Sequence, residues 1–252
     1  MIPNNMNDIL EELIGSVDGA SRIDSMVRGR HWIVSRLGKR YGVSSTLDFC
    51  RQPLESEPPS CEEYVGGPAI HALRLLKSEH TPERPTGMAV LNAALPSPAG
   101  VVTEENAFDI LERISPGRSV AVVGHFPGME RLKKAAGECH ILELHPTAGD
   151  LPSERSPEIL ARSEVIGLSS TTLLNGTFGS LMKHIRPGSF VALIGPSTPL
   201  SPVLFHCGVS LLCGAQIIDG EEVKEASSRG ASFREMRRHV QLVNYWNPEA
   251  EF

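Results

Sequence analysis

Between residues 119 and 202 the chain passes four times from an apolar run into a polar or proline-rich one: SVAVVG into HFPGM, CHILELH into PTAGDLP, EVIGLSS into TTLLNGT, and SFVALIG into PSTPLSP. Few architectures accept that repetition. Near-continuous apolar runs suit strands buried on both faces, the environment of a parallel sheet enclosed by helices. The segments GMERLKKAA, SPEILARS, TFGSLMKHI and PVLFHCG carry helical patterns between strands expected near 119–124, 138–145, 164–170, 189–195 and 209–217. The C-terminal part is therefore read as an α/β, Rossmann-like parallel sheet with helices on both faces, closed by a last helix near 233–242. Loops at the carboxyl ends of such strands open on one edge, and ligands bind there where the strand order reverses. His125, Glu143, His145, Asp150, Thr172, Asn175, Thr177, Ser197 and Thr198 are expected around one pocket on that edge.

The prolines and glycine of LPSPAG mark a boundary, giving an N-terminal domain over 1–100 and the Rossmann-like domain over 101–252. Thr103 is the expected N-cap of a helix over 104–114, because its hydroxyl can accept a free N–H at the helix start. Upstream, HWIVSRLG and the stretch around YGVSSTLDFC form a hairpin by their local signals, and proline-rich EPPSCEEYVGGP connects them to helical spacing in AIHALRLLK and TGMAVLNAAL. MNDILEELIGSV reads as a short amphipathic helix. Strands followed by helices make this half a smaller α+β domain.

At 252 residues the chain can bury a real core without staples. Its composition, 40% hydrophobic and 21% charged, holds no apolar run approaching a membrane span, so no membrane partner is expected. A net charge of −6 offers no general attraction to phosphate backbones, which argues against nucleic acid. The exception is the segment 22–40, with six Arg or Lys residues against one Asp. It reads as a solvated face or, more sharply, as a docking surface for an anionic ligand. Five scattered cysteines, Cys50, Cys61, Cys139, Cys207 and Cys213, form no CxxC pair and indicate neither a disulfide framework nor a zinc ribbon. Cytoplasmic localisation and, on base rates, a homodimer are the corresponding expectations.

The loops decide among chemistries. VAVVGHFPGMERL stands where a dinucleotide fingerprint would, but Gly124 and Gly128 flank the bulky His125-Phe126-Pro127 rather than further glycines. Classical NAD or FAD binding is disfavoured, because the backbone cannot approach a pyrophosphate closely. ELHPTAGDLP is the most chemically loaded loop. Imidazole and carboxylate suit zinc, iron or nickel, so His125, Glu143, His145 and Asp150 are the candidate metal ligands. In the competing reading Asp150 caps the Pro/Gly turn and His145 is a surface residue. SSTTLLNGTFGSL supplies hydroxyls and an amide, with Thr177 or Asn175 as helix N-cap, and GPSTPLSP stiffens a loop presenting Ser197 and Thr198. A Ser197-His125-Asp150 nucleophile system lacks the G-x-S-x-G elbow and is set aside.

VVGHFPGM, the strand-end Glu143 followed by GDLP, TTLLNGT, and IGPSTPLSPVLFHCGVSLLCGAQIID closely resemble the putative heavy-metal chelation domain family. RGRHWIVSRLG and GMAVLNAALP look like the smaller companion domain that precedes it, so the resemblance covers nearly the whole chain. It implies an N-terminal domain similar to the enolase amino-terminal fold, a Rossmann-like C-terminal domain, and a ligand site in the cleft between them. Residue by residue, it marks His125, Glu143, Asp150, Thr172, Asn175, Thr177, Ser197 and Thr198, with Asn92 from the N-terminal domain. The expected function is binding of a small polar ligand, a metal ion or a metal chelate, in that cleft. An enzyme acting on a nucleotide-like or amino-acid-derived small molecule is the alternative, and a non-catalytic assembly subunit the second.

Overall fold

The computed structural model describes residues 5–47, 60–100 and 102–250. Cys50 and, of the connector, Pro58 and Pro59 lie outside them. Helix α1 (Met6–Gly15) is capped by Asn5, whose side chain accepts from the Asp8 N–H, and buries Ile9, Leu10 and Leu13 on one face as its spacing predicts. Strands β1 (Ser25–Arg28), β2 (Trp32–Leu37) and β3 (Arg40–Ser45) form an antiparallel meander. The β2–β3 link is the two-residue turn Gly38-Lys39, with Leu37 paired to Arg40 and Gly38 at φ 60°, the geometry that tight hairpins demand of their first turn residue. Helices α2 (Ala69–Leu73) and α3 (Arg84–Ala94) follow.

Helix α3 lies almost on the backbone of β3. A Cβ on Gly42 would stand 2.2 Å from Ala93 N and 2.3 Å from Ala89 O, so only glycine permits this approach. The closeness brings Asn92 over the sheet, where its Nδ2 donates to Val43 O at 2.9 Å.

The second unit comprises β4 (Val102–Thr103), α4 (Ala107–Ile114), β5 (Ser119–Val123), α5 (Met129–Ala135), β6 (Glu138–Glu143), β7 (Leu151–Pro152) and α6 (Ser156–Arg162). It continues through β8 (Val165–Ser169), α7 (Thr171–Leu174), α8 (Phe178–Met182), β9 (Phe190–Ile194), α9 (Val203–His206) and β10 (Leu211–Ile217), and ends with α10 (Gly220–Ser228), α11 (Phe233–Met236) and β11 (Val240–Trp246). The eight strands lie in the order β4-β11-β10-β9-β8-β5-β6-β7. Strands β10, β9, β8, β5, β6 and β7 pair in parallel, and β9, β8 and the middle of β5 are buried on both faces. The order turns back at β5, which has β6 on one side and β8 on the other.

Two local expectations are corrected. Helix α4 is capped by Asn106, whose side chain accepts from Phe108 N, while Thr103 belongs to β4 and pairs with Asn244. The terminal helix stops at Met236; after a 3-10 turn over Arg237–His239 the chain becomes β11, antiparallel to β10 along its whole length. The sheet is thus parallel with an antiparallel edge.

One face of the sheet is covered by α4 and α5, with Phe108, Ile110, Leu111 and Leu132 in the core. On the other, residues of α6 to α9 and of α1 to α3 join one apolar cluster, which the two units share. Burying that shared surface is what fixes the N-terminal unit against the sheet. Among the described residues no helix is long and apolar enough to cross a membrane.

Candidate functional site

The reversal of strand order between β5 and β8 creates a crevice at their carboxyl ends, and the largest sequence-predicted cluster lies there. Strand β5 delivers Gly124 and His125, β6 ends at Glu143, β8 ends at Ser169, and the loop after β9 carries Gly195 to Thr198. The N-terminal unit closes the crevice with Trp32 and Ser45. The resulting cavity, about 590 Å³, is lined by His125, Glu143, His145, Asn175, Ser197 and Trp32, among others. A second lobe of about 300 Å³ adds Thr172 and Thr177 and shares Gly124, Glu143, Ser169 and Asn175 with the first. Among the described residues no Lys or Arg lines either lobe.

His125 sits between two carboxylates. Its Nδ1 is 3.6 Å from Asp150 Oδ2 and 3.8 Å from Glu143 Oε1. The Asp150 side chain is only 2% exposed, and that of Glu143 25%. Asp150 does cap its turn: Oδ2 accepts from Thr147 N at 2.9 Å and from Thr147 Oγ1 at 2.7 Å. Burial pushes the Asp150 carboxyl up, but the two hydrogen bonds from Thr147 and the neighbouring His125 outweigh it and hold the group below the ordinary carboxylate range. His145 is exposed.

The hydroxyl-rich loops are ordered by their own bonds. Thr172 Oγ1 donates to Ser169 O at 2.6 Å, and Ser169 Oγ pairs with Thr171 Oγ1 at 2.8 Å. Thr177 holds the N-cap position of α8, yet the capping acceptor is Asn175 Oδ1, which takes both Thr177 N and Thr177 Oγ1. Gly176, at φ 79°, lets Arg84 of α3 pack against this loop and donate to Leu174 O at 3.3 Å; a Cβ there would meet Arg84 Nη1 at 2.5 Å. Ser197 Oγ accepts the Ser45 N–H at 2.8 Å in a fully buried link between the two units.

The structure divides the predicted set. Asn92 and Thr198 do not line this cleft; they line a separate cavity of about 230 Å³ on the other side of the Ser197-Thr198 segment. Asn92 Nδ2 also donates to Ser197 O at 3.3 Å, so the residue stands in the partition. Trp32 was not among the sequence candidates. It is 9% exposed, packs in a tilted arrangement against Phe233 with ring centroids 5.4 Å apart, and its buried Nε1 has no hydrogen-bond partner among the described residues. Nothing local distinguishes this tryptophan from an ordinary core residue, since its place at the cleft depends on how the two units pack.

Among the described residues no three His, Cys, Asp or Glu side chains are arranged as a group that could hold a metal ion. The nearer carboxylate to His125 is already engaged by Thr147, and burial raises the thiols of Cys139, Cys207 and Cys213, keeping them protonated at neutral pH. A closed structural metal site needs about four such ligands. The side chains alone do not fit a bare chelated ion.

The fold defines a two-unit protein with a crevice at the switch point of a Rossmann-like sheet. A family model described as putative heavy-metal chelation matches residues 106–245, and another with the same description matches residues 10–95. The chain belongs to the putative heavy-metal chelation family. It is similar over 96% of its length to the crystal structure of a family member of unknown function from Desulfitobacterium hafniense DCB-2, covering 99% of that chain at 25% identity and a TM-score of 0.84. A family member of unknown function from Pyrococcus horikoshii is similar over the same share of both chains, at 17% identity and a TM-score of 0.78. No curated protein matches.

Proposed function

We propose that the protein binds a small polar molecule, free or as a preformed metal chelate, in the cleft between β5, β8 and the N-terminal unit. The observation that carries this reading is the cavity itself. At about 590 Å³ it falls in the roughly 300–1,000 Å³ range of small-molecule sites and far exceeds the space of a single ion. Its walls supply Glu143 as an acceptor, Trp32 as an aromatic wall, and Asn175, whose Nδ2 has no partner among the described residues. With no Lys or Arg in the walls among the described residues, the ligand is neutral or cationic at the end that meets Glu143. A metal ion brought in a chelate would carry most of its ligands with it, which removes the need for a complete protein donor set.

Thermal unfolding in the presence of nucleosides, amino acids, and hydroxamate or catecholate chelators, each with and without transition metals, tests the proposal. A ligand at a hundredfold excess over Kd stabilises the fold by about 2.7 kcal/mol. The shift is expected to vanish in Glu143→Gln and to shrink in Trp32→Phe. A ligand shift unchanged by both substitutions, or stabilisation by bare metal ions alone, contradicts it.

A further inference from the structure

The two lobes of the cleft differ in chemistry and meet at one carboxylate. Glu143 lines both, its side chain is 25% exposed, and it makes no hydrogen bond with the described residues; its neighbour His125 Nδ1, at 3.8 Å, is too far to make one. The smaller lobe, about 300 Å³, has apolar walls from Val123, Leu142, Leu144, Pro157 and Leu181. The larger, about 590 Å³, carries His125, His145 and Ser197 and is closed by Trp32 and Ser45 of the N-terminal unit.

Position in the sheet indicates what a carboxylate at that junction can hold. Counted from β5, the parallel strands lie in the order third, second, first, fourth, fifth, sixth, as β7-β6-β5-β8-β9-β10. That is the order of dinucleotide-binding sheets, in which an acidic residue roughly 20 positions beyond the first turn takes a ribose hydroxyl. Glu143, the last residue of the second strand, stands in that place. Its two acceptor oxygens match a vicinal diol. The phosphate half of such a site is missing. His125-Phe126-Pro127 fill the first turn where glycines would admit a pyrophosphate, and no Lys or Arg of the described residues lines either lobe. A phosphate would meet Glu143 with no fixed cation to offset the repulsion.

On the basis that the cleft is a small-molecule site, as argued above, we propose that its ligand is a ribonucleoside without phosphate. The base lies between the apolar walls of the smaller lobe, and the 2′ and 3′ hydroxyls donate to Glu143. The 5′ carbon points into the larger lobe beside Trp32, carrying a neutral or cationic substituent. Asn175 borders both lobes, and its Nδ2, unpaired among the described residues, donates to an acceptor on the nucleoside.

Calorimetric titration of the full chain with adenosine, guanosine, cytidine and uridine tests it. Saturable binding of at least one is expected, and the 2′,3′-dideoxy counterpart and the 5′-monophosphate of the best binder should each bind roughly tenfold more weakly or worse. Glu143→Gln should weaken the ribonucleoside roughly tenfold and leave the dideoxy compound unchanged, since that ligand has no diol to lose. Leu144 is 50% exposed, so Leu144→Asp leaves the fold intact and should weaken both compounds alike. Binding of none of the four nucleosides, equal binding of the dideoxy compound, tighter binding of the monophosphate, or full ribonucleoside affinity in either variant would each overturn the assignment. If the nucleosides fail while an amino acid or chelator still shifts unfolding in a Glu143-dependent way, only the ribonucleoside falls; if no compound registers, the small-molecule site falls with it.

Discussion

Ser197 and Thr198 adjoin in sequence but line two different cavities, and their hydroxyls have different standing. Ser197 Oγ is engaged by the Ser45 N–H and ties the N-terminal unit to the sheet, whereas Thr198 Oγ1 is buried with no partner among the described residues. The same contrast runs through both cavities. Thr172 and Thr177 in the cleft, and Asp150 beside it against His125, are occupied in shaping their own loops, while Trp32 Nε1 has no partner among the described residues. At the separate cavity Asn92 spends its amine on the partition, and its buried oxygen has no partner among the described residues. Being polar and in the right loop therefore does not by itself make a side chain a ligand contact, since many such groups are spent on structural bonds.

Substitutions can break this comparison, beginning with what supports both cavities. Gly42→Ala places a methyl group inside the backbone of α3; it is expected to cost about 3 kcal/mol or more in denaturant unfolding and to disturb both cavities together. Ser197→Ala strands the buried Ser45 N–H and should cost about 1–3 kcal/mol. Gly176→Ala strains a positive φ but meets only the mobile end of Arg84, so roughly 1 kcal/mol is expected, with weaker ligand binding in the cleft. Asp150 sharpens the picture through pH. Its folded carboxyl lies below the ordinary range, so its contribution is complete above the unfolded value of about 3.9 and is lost as pH falls through the lower folded value. Unfolding curves of Asp150→Asn should lack that acid-side loss. Thr198→Val is the smallest effect, within about 0.5 kcal/mol of wild type or slightly stabilising, because it removes an unpaired hydroxyl and keeps the shape. A Thr198→Val protein as destabilised as Ser197→Ala would erase the distinction between the two neighbours.

Much of this was legible in the sequence for physical reasons. Strands β5, β8 and β9 are enclosed on both sides, so their apolar runs are unbroken, and their carboxyl-end loops fall on one edge whatever the details of packing. The hairpin of β2 and β3 announces itself through Gly38. The misread elements depend on remote partners. VQLVNYW becomes a strand because β10 offers it an antiparallel edge, and Thr103 leaves its capping role because β11 pairs with it. The resemblance pointed to Asn92 and Thr198, but which cavity they line is decided by a single step along the chain and by the docking of α3. Trp32 carried no local signal at all. His125, Glu143 and Asp150 were gathered correctly in space, yet the engagement of Asp150 by Thr147 could be read only from coordinates.

The central claim is that the cleft recognises a molecule rather than an ion. A crystal structure of the protein as isolated, purified without added metal or chelator, tests it most directly. The account predicts density for a small organic molecule or chelate in contact with Trp32, Glu143 and Asn175. A lone metal ion bound by His125, Glu143 and Asp150, with no organic density beside it, would contradict it.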